Sequence, residues 1–256
     1  MAVSAETGTV NRILRILSAF AARERWPLNE LARHLQLPRA STHRLLSLCK
    51  PLGYVEQDET GLYVAGIELY RVAGTLAMAM PINRLAAPVL ETVRDETGET
   101  AALVLMARPH LQLFFSQLAS PAHPLRYAVE LNRLQPLPWG SAGQSLLAFL
   151  KPDEIDHVLV REESSPLDGR TLDANAVRAS LAQVRARGYA KTYSERAPDM
   201  HGLSVPFFDG AGEVRGNITL TVPQFRFDET LVERHVALLR QAVAELTRRL
   251  GWQREG

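Results

Sequence analysis

The sequence has one cysteine, no long apolar run and no basic-then-apolar leader. Cys49, the single cysteine among 256 residues, cannot form an internal disulfide, and its helical surroundings predict a small core residue rather than a nucleophile. The longest apolar runs, such as AALVLMA at 101–107, are far shorter than the roughly 20 residues that span a bilayer. The N-terminus also lacks a signal-peptide pattern. We therefore expect a cytoplasmic protein with neither redox chemistry nor a membrane partner.

Motifs that would indicate an enzyme are also absent. The segment GSAGQS at 140–145 lacks the nucleophile at the centre of a Gly-x-Ser-x-Gly elbow, and the chain has no phosphate loop or dinucleotide fingerprint. The seven histidines show no close ligand pairing, and only His201 beside Asp199 forms a pair worth testing for a metal. We expect no catalytic residue, no metal site and no cofactor, although a small-molecule enzyme built on the C-terminal part stays open as an alternative.

Charge is distributed unevenly along the chain. The net charge is only +1, yet the segment 31–55 carries four basic residues and no acid. These bases are Arg33, Arg39, Arg44 and Lys50. Such a local excess attracts an anionic partner.

The N-terminal segment reads as three short helices followed by a hairpin. Apolar residues at helical spacing predict a first helix over 10–20 that ends before Pro27, and Asn29 is the expected N-cap of a second. Pro38 opens the third helix, since proline at an N-terminal helical position needs no hydrogen-bond donor. In this third helix we expect Ala40, Leu45, Leu46 and Leu48 to face inward and Arg39, Ser41, Thr42, His43 and Arg44 to lie on or near the outer face. After it, YVEQDETGLYVAG at 54–66 predicts two short strands around a turn, typical of a wing.

The segment 28–66, LNELARHLQLPRASTHRLLSLCKPLGYVEQDETGLYVAG, resembles the winged helix-turn-helix of the IclR family of bacterial transcription regulators. The resemblance implies that 38–44 begins a DNA recognition helix. The implied DNA-binding residues are Asn29, Arg39, Ser41, Thr42, His43, Arg44 and Lys50. Gln36 stands where the family usually places a glycine with positive φ, at a cost on the order of 1 kcal/mol if the turn is unchanged. The wing lacks the usual base, so we expect DNA binding that depends less steeply on salt.

The C-terminal part alternates strands and helices. Residues 66–97 predict two helices broken at Pro81, the first of them apolar enough to need a partner surface. Beyond Thr100 we expect a β-hairpin over 100–118, a strand at 127–131, a helix with its cap at Asp153 and a helix over 174–187 that stops at glycine. A last helix begins at an Asp228 cap, with inward positions at Leu231, Val232, His235, Leu239, Val243 and Leu246. The fold class is α+β.

Three further segments resemble the effector domain of the same family: 137–150 (LPWGSAGQSLLAFL), 184–195 (VRARGYAKTYSE) and 203–223 (LSVPFFDGAGEVRGNITLTVP). They imply a GAF-like domain with a curved antiparallel sheet that encloses a small ligand. The implied effector-binding residues are Met106, Ser141, Ala142, Glu195, Met200, Gly202, Thr219 and Thr221. The backbone N–H groups of 141–144 open a helix and suit a carboxylate. Gln144 replaces the family's usual lysine.

These observations predict a regulator with three parts: a winged helix-turn-helix at 1–66, a linker helix at 67–82 and a GAF-like effector domain at 83–256. We expect a homodimer or homotetramer that binds double-stranded operator DNA and responds to a small organic acid. The methionines and phenylalanines near the pocket motifs favour an aromatic or medium-sized acid. An adaptor that uses its winged helix for protein contacts, without binding DNA, is the other alternative.

Overall fold

The computed structural model describes residues 8–122, 129–161 and 164–252. The chain divides into two compact units, one ending at Met80 and the other beginning at Pro81. None of the helices in these described ranges is both long and apolar enough to cross a membrane.

Within residues 8–80, the first unit combines four helices with a small antiparallel sheet. Its elements are α1 (Thr9–Ala22), β1 (Arg25–Trp26), α2 (Leu28–His34), α3 (Arg39–Cys49), β2 (Val55–Gln57), β3 (Tyr63–Ala65) and α4 (Ile67–Ala79). The predicted wing hairpin is confirmed, with Glu56 opposite Val64. Strand β1 was not predicted; it pairs with β3 and makes the sheet three-stranded in the order β1-β3-β2.

Helix α3 packs on α1 and α2 through part of the expected face, since the inward positions of Leu45 and Leu46 are confirmed. Thr42 and Cys49 are buried together with Leu45 and Leu46, and these positions i, i+3, i+4 and i+7 follow one helical stripe. Ala40 and Leu48, which were expected to face inward, are exposed. The expectation for Thr42 was therefore wrong as well, because its side chain belongs to the core stripe. The burial of Cys49 is confirmed.

The turn between α2 and α3 keeps its geometry without a glycine. Gln36 has φ 55°, in the left-handed region that disfavours a side chain. The N-H of Leu37 donates to the Ala32 carbonyl at 2.9 Å and closes the end of α2. At the other end of α2, Asn29 is not the N-cap: Pro27 precedes the helix, and Asn29 lies exposed in its first turn.

The predicted break at Pro81 is confirmed, since α4 ends at Ala79 and α5 begins at Pro81. Helix α4 is described in full and none of its residues is buried. Four of its large apolar side chains are exposed: Ile67, Tyr70, Leu76 and Met78.

The second unit is a six-stranded antiparallel sheet with helices packed on it. Its elements are α5 (Pro81–Thr97), β4 (Thr100–Ala107), β5 (Gln112–Ala119), β6 (Gln135–Pro136), α6 (Gly140–Leu147), α7 (Pro152–Val160), α8 (Ala174–Arg187), β7 (Ala190–Tyr193), β8 (Met200–Phe208), β9 (Val214–Pro223) and α9 (Val232–Leu250). The strand order is β6-β5-β4-β9-β8-β7, a curled half-barrel, which confirms the predicted α+β class and its curved antiparallel sheet.

Several boundaries in this unit differ from the predictions. Residues 127 and 128 of the predicted strand lie outside the described ranges, and in 129–131 only Leu131 pairs, through an isolated bridge to Phe115. Helix α7 is capped at Lys151 with Pro152 in its first turn, so Asp153 is not the cap. Helix α8 has the predicted bounds and ends at Gly188, whose φ is 77°.

The last helix starts later than expected. The Asp228 side chain accepts from the Thr230 N–H and caps a short 3-10 turn, after which α9 begins at Val232. Leu231, expected to face inward, is therefore exposed, and Val236 and Ala242 take buried positions instead.

Helix α6 occupies the centre of the second unit. It packs on β7, β8 and β9, and all eight of its residues are buried. A Cβ on Gly143 would lie 2.1 Å from the Leu137 carbonyl oxygen, so only glycine allows this approach. The close packing sets the N-terminus of α6 against the sheet.

Candidate DNA interface and effector site

The exposed face of α3 carries the cationic and polar side chains. Arg39, His43, Arg44 and Ser47 are exposed, and Ser41 is half-buried. Within the described ranges, neither Arg39 nor Arg44 takes part in an ion pair or a side-chain hydrogen bond. Two unpaired guanidinium groups on one helix face suit the phosphates and guanine edges of a nucleic acid.

The other predicted DNA-binding residues occupy different positions. Thr42 is buried, and its hydroxyl donates to the Pro38 carbonyl at 3.2 Å, so it shapes the start of α3 rather than facing outward. Lys50 donates to Gln57 Oε1 at 2.8 Å and thereby joins the end of α3 to the wing. Asn29 is exposed at the start of α2.

The wing is acidic, and two bases from neighbouring elements contact it, Lys50 after α3 and Arg25 from β1. Glu56, Asp58 and Glu59 lie on the hairpin. Hydrogen bonds from Thr60 hold the pKa of Asp58 below its usual value, and Arg25 lies 3.4 Å from its carboxylate. Arg25 and Ser47 are candidates that sequence reasoning missed. A two-residue strand such as β1 is too short to show an alternating pattern.

A cavity in the second unit opens between the start of α6 and the sheet. Its interior volume is about 50 Å³, and the empty space reaches about 420 Å³ when its open mouth is included. Seven predicted effector residues line it: Ser141, Ala142, Glu195, Met200, Gly202, Thr219 and Thr221. Phe115, Gly140, Thr192, Arg196, Ala197 and His201 complete the lining. Met106 lies elsewhere, packed against the core of the unit.

Glu195 places its carboxylate at the N-terminus of α6. The Gly140 N–H donates to Oε2 at 2.7 Å, and the Gln144 amide donates to the same oxygen at 3.0 Å. The Ser180 hydroxyl donates to Gln144 Oε1 at 2.6 Å and so orients the amide. Burial raises the pKa of Glu195, against the opposing hydrogen bond from Gly140 and the charges of Arg170 and Arg196. Gln144 therefore donates to an acidic side chain of the protein itself, Glu195.

Arg196 brings a positive charge to the same wall. Its Nε donates to the Trp139 carbonyl at 2.7 Å, and its other nitrogens donate to Gln135 and to the Pro136 carbonyl. A Cβ on Gly140, whose φ is 76°, would come within 2.9 Å of the Arg196 side chain. The guanidinium thus braces the loop before α6 from outside.

A buried chain of hydroxyl and amide groups runs beneath the cavity. Ser141 Oγ and Ser204 Oγ are 2.8 Å apart, and Ser204 Oγ and Thr219 Oγ1 are 2.7 Å apart. The Thr219 hydroxyl donates to Asn217 Oδ1 at 2.7 Å. The Asn217 amide donates to the Ala142 carbonyl at 2.8 Å and to Ser145 Oγ at 2.9 Å. All five side chains are buried, so each missing bond would leave a costly unpaired group.

His201 is engaged with aromatic rings instead of with Asp199. Its ring stacks on Phe227 with centroids 3.5 Å apart, and its Nε2 lies 2.5 Å from Gln224 Oε1. Asp199 accepts from the Tyr193 hydroxyl at 3.1 Å. Across the described ranges, no group of three or more histidine, cysteine or acidic side chains is arranged around a metal position.

Comparisons with known proteins identify both units. The family model for the IclR helix-turn-helix domain matches residues 9–59, and the model for the C-terminal part of bacterial transcriptional regulator IclR matches residues 75–248. The HTH-type transcriptional regulator BhcR of Paracoccus denitrificans is 29% identical over 245 residues, covering 95% of this chain and 86% of that protein.

Solved structures agree over nearly the whole chain. An IclR transcriptional regulator from Silicibacter sp. TM1040 superposes with a TM-score of 0.86 at 27% identity and covers 96% of this chain and 98% of its own. An IclR homolog from Microbacterium hydrocarbonoxydans, solved in complex with 4-hydroxybenzoate, has a TM-score of 0.73 at 22% identity, covering 96% and 100%. That second likeness shows the fold alone.

The relatives that match are regulators of transcription, so the expectation of a regulator instead of an enzyme is confirmed. Both units contribute to the match, the helix-turn-helix through α1 to β2 and the sheet unit through α5 to α9. The chain therefore belongs to the IclR family of DNA-binding bacterial transcriptional regulators.

Proposed function

We propose that this regulator binds double-stranded operator DNA through α3 and that a small organic acid in the cavity of the second unit changes this binding. The observation that carries the DNA half is the exposed α3 face with unpaired Arg39 and Arg44. A recognition helix places such side chains against base edges in the major groove.

The exposure of each side chain on α3 indicates its role in DNA binding. Arg39, His43 and Arg44 reach outward and contact bases or phosphates, while half-buried Ser41 contacts phosphate through its hydroxyl. Asn29, at the start of α2, and Lys50, at the end of α3, contact the phosphates of the DNA. Thr42 keeps the start of α3 in shape.

Helix α4 supports assembly into a homodimer or homotetramer. Four large apolar side chains of this helix are exposed: Ile67, Tyr70, Leu76 and Met78. A contiguous exposed apolar surface of this kind is typical of a protein-protein interface. We assign residues 67–82 to a linker that pairs subunits, between a DNA-binding domain at 1–66 and an effector domain at 83–256. Two paired winged helices then read a palindromic site in the cytoplasm.

The cavity suits a small acid with an apolar body. By helix geometry, the N–H groups of Ser141 and Ala142 at the start of α6 lack helical acceptors, and they face the site where a carboxylate gains from the helix dipole. Phe115 and Met200 line the cavity and suit an aromatic or medium-sized body. The Microbacterium homolog binds 4-hydroxybenzoate, an acid of this kind.

Effector and operator influence each other through differential affinity. An acid shifts DNA binding only as far as it prefers one arrangement of the protein, and the operator then changes the affinity for the acid by the same factor.

Fluorescence anisotropy of the full chain tests the DNA half. The duplexes are the intergenic DNA beside its own gene and a scrambled sequence, each measured at two salt concentrations. We expect a preference for the native duplex that persists at the higher salt, because base contacts do not depend on counterion release. Equal binding of both duplexes would contradict the proposal.

A variant of the cavity tests the effector half. Thr221→Phe fills the cavity from β9, whereas Thr92→Phe adds the same ring to an exposed position on α5. In a screen of organic acids, we expect Thr221→Phe to lose the effect of the acid on operator binding while it keeps operator affinity without the acid. A response that survives in Thr221→Phe would place the effector elsewhere.

A further inference from the structure

Glu195 already occupies part of the helix end where the effector carboxylate is proposed to bind. The Gly140 N–H donates to Glu195 Oε2 at 2.7 Å, and the next two N–H groups of α6, those of Ser141 and Ala142, lack helical acceptors by helix geometry. A helix rises only about 1.5 Å per residue, so a carboxylate bound to these two groups lies beside Glu195. The proposed complex therefore brings two carboxyl groups together in the wall of one cavity.

Two carboxyl groups in a buried site affect each other's ionisation. The pKa of one of them rises strongly, because the like charges repel each other where little water screens them. Burial already raises the pKa of Glu195 in the free chain, against the opposing charges of Arg170 and Arg196. A second negative charge acts in the same direction as burial. Glu195 is therefore the group that becomes neutral when the effector binds.

The contacts of Glu195 are compatible with a proton on one of its oxygens. Oε2 accepts from the Gly140 N–H at 2.7 Å and from the Gln144 amide at 3.0 Å. Oε1 has only a longer contact of 3.3 Å with the same amide. A protonated carboxyl keeps one oxygen as an acceptor and turns the other into an O–H donor. Oε2 can thus keep both of its short hydrogen bonds while Oε1 carries the proton.

The other charged groups around Glu195 have contacts of their own. Arg196 donates to the Trp139 carbonyl at 2.7 Å, and the Arg170 guanidinium lies over the Trp139 ring, 5.3 Å from its centroid. The Asp173 carboxylate accepts from the first N–H groups of α8 and caps that helix. These groups set the ionisation of Glu195 in the free chain, and the effector adds its charge to this fixed background.

A second cavity also has Glu195 in its wall. This outer cavity is bounded by Trp139, Gln144, Arg170 and Ser180, together with neighbouring residues at the start of α8. A carboxyl group that lines both cavities can exchange protons with water in the outer one while an effector fills the other. A proton can therefore reach Glu195 after the effector has bound.

We propose that Glu195 binds the effector as a neutral acid, which takes one proton from water and donates it in a hydrogen bond to the effector carboxylate. The effector carboxylate stays ionised and accepts this hydrogen bond, so the bound pair carries one negative charge. Effector binding is then accompanied by proton uptake and weakens as the pH rises. The inference rests on the proposed effector site and adds the protonation state in which Glu195 contacts the ligand.

Titration calorimetry of the full chain counts the proton. The probes are benzoate, phenylacetate and lactate, whose carboxyl groups stay ionised above pH 6. Each titration is run in HEPES and in Tris, because these buffers differ in ionisation enthalpy and the difference in heat gives the number of protons taken up. We expect an uptake that rises toward one per bound acid between pH 7 and 8, and an affinity that falls by up to about tenfold per pH unit. A bound acid without uptake at either pH would overturn the inference.

Glu195→Gln tests whether Glu195 receives the proton. The amide offers the effector a neutral N–H donor and keeps an oxygen acceptor for the Gly140 N–H, but it cannot gain a proton. We expect proton uptake to disappear, the affinity to be equal at pH 6 and pH 8, and binding at pH 8 to be at least fivefold tighter than in the unaltered protein. Uptake that persists in this variant would place the proton on another group, such as His201, and would refute the role of Glu195.

Glu91→Gln is the matched control. It removes the same charge from an exposed position on α5, outside both cavities, and should keep the proton uptake and the pH dependence of the unaltered protein. Loss of uptake in Glu91→Gln as well would show that the effect follows the overall charge of the chain and would contradict the proposal.

Failure of the effector site gives a different result. If none of the three acids binds and none alters operator binding, the proposed effector function fails at this cavity and the role of Glu195 fails with it. If an acid binds and alters operator binding without proton uptake and with equal affinity at pH 6 and pH 8, only the role of Glu195 fails.

Discussion

Gly202 on β8 and Ser141 on α6 are in such close contact that a Cβ on Gly202 would lie 2.3 Å from Ser141 Oγ. No real Cβ is found at that distance from a hydroxyl oxygen, so the Ser141 hydroxyl would have to rotate away from Ser204, or the strand or the helix would have to move. The absence of one methyl group therefore lets the first turn of α6 rest on the sheet, and it also places Ser141 over Ser204.

Gly202→Ala should destabilise the second unit by on the order of 1–3 kcal/mol, because the added methyl overpacks a buried contact. Urea denaturation measures the loss. Gly210→Ala is the control, since a Cβ there meets nothing within 4 Å and should change little. The double change Gly202→Ala with Ser141→Gly should recover part of the loss, and the absence of any recovery would mean that a different contact is responsible.

Arg44→Ala should weaken specific operator binding by roughly 1–3 kcal/mol if Arg44 reads a base, and should lower the affinity for all DNA alike if it meets only phosphate. Anisotropy with the native and scrambled duplexes distinguishes the two. Arg178→Ala, an exposed arginine of the second unit, serves as the control. If both duplexes bound Arg44→Ala as they bind the unaltered protein, Arg44 would not belong to the interface.

Thr42→Val, unlike Arg44→Ala, should lower the stability of the protein and leave its DNA selectivity unchanged. Because Thr42 is buried and bonds to Pro38, we expect a stability loss of about 1 kcal/mol with an unchanged ratio of specific to nonspecific binding. Thermal unfolding and anisotropy on the same preparation measure the two effects. If the ratio of specific to nonspecific binding changed while the stability did not, Thr42 would belong to the DNA-binding surface.

Gln36→Gly should stabilise the first unit by on the order of 0.5–1 kcal/mol, because glycine has no side chain to strain at φ 55°, although its flexibility in the unfolded chain offsets part of the gain. Gln36→Ala should leave the stability nearly unchanged, since alanine has the same Cβ. Chemical denaturation of both variants measures the difference, and equal stability of the glycine and alanine variants would argue against strain at this turn.

Glu195→Gln should change how stability depends on pH. Because burial raises the pKa of Glu195, the folded chain holds a proton that the unfolded chain has lost, and the free energy of unfolding falls as pH rises above the ordinary value of 4.5. The variant lacks this titration, so its stability relative to the unaltered protein should increase between pH 4.5 and 7.5 in urea denaturation.

Glu245→Gln is the control for that experiment. Two arginines, Arg248 and Arg249, lower the pKa of Glu245 to about 2, so its contribution is complete above pH 4.5 and is lost only as the pH falls further. The relative stability of this variant should therefore stay flat from pH 5 to 7.5. A flat profile for Glu195→Gln as well would show that Glu195 titrates normally.

Elements marked by an apolar pattern, or bounded by a proline or a glycine, could be predicted from the sequence. Pro81 separates two helices, Gly188 ends α8, and the short continuous apolar run at 101–107 marks β4. Each of these signals acts locally, within a few residues of its effect, so one sequence contains enough information to find it.

Features that depend on distant contacts could not be predicted. The two-residue strands β1 and β6 exist only because a longer strand pairs with them, and the burial of Thr42 depends on the rotation of α3 against its neighbours. Seven of the eight predicted effector residues lie around one cavity, but Thr192 and Arg196 carry no local signal of their positions in its wall.

The pairing of Arg25 with Val64 sets a limit on how this regulator can be recombined with others. A chimera that imports only the segment from α2 to the wing would leave β3 and β2 as an isolated hairpin, which is marginal in water. It would also leave behind Trp26, whose indole N–H donates to the Ala19 carbonyl of α1. A transplantable DNA-reading cassette must therefore start at or before Thr9, with α1 and β1 included.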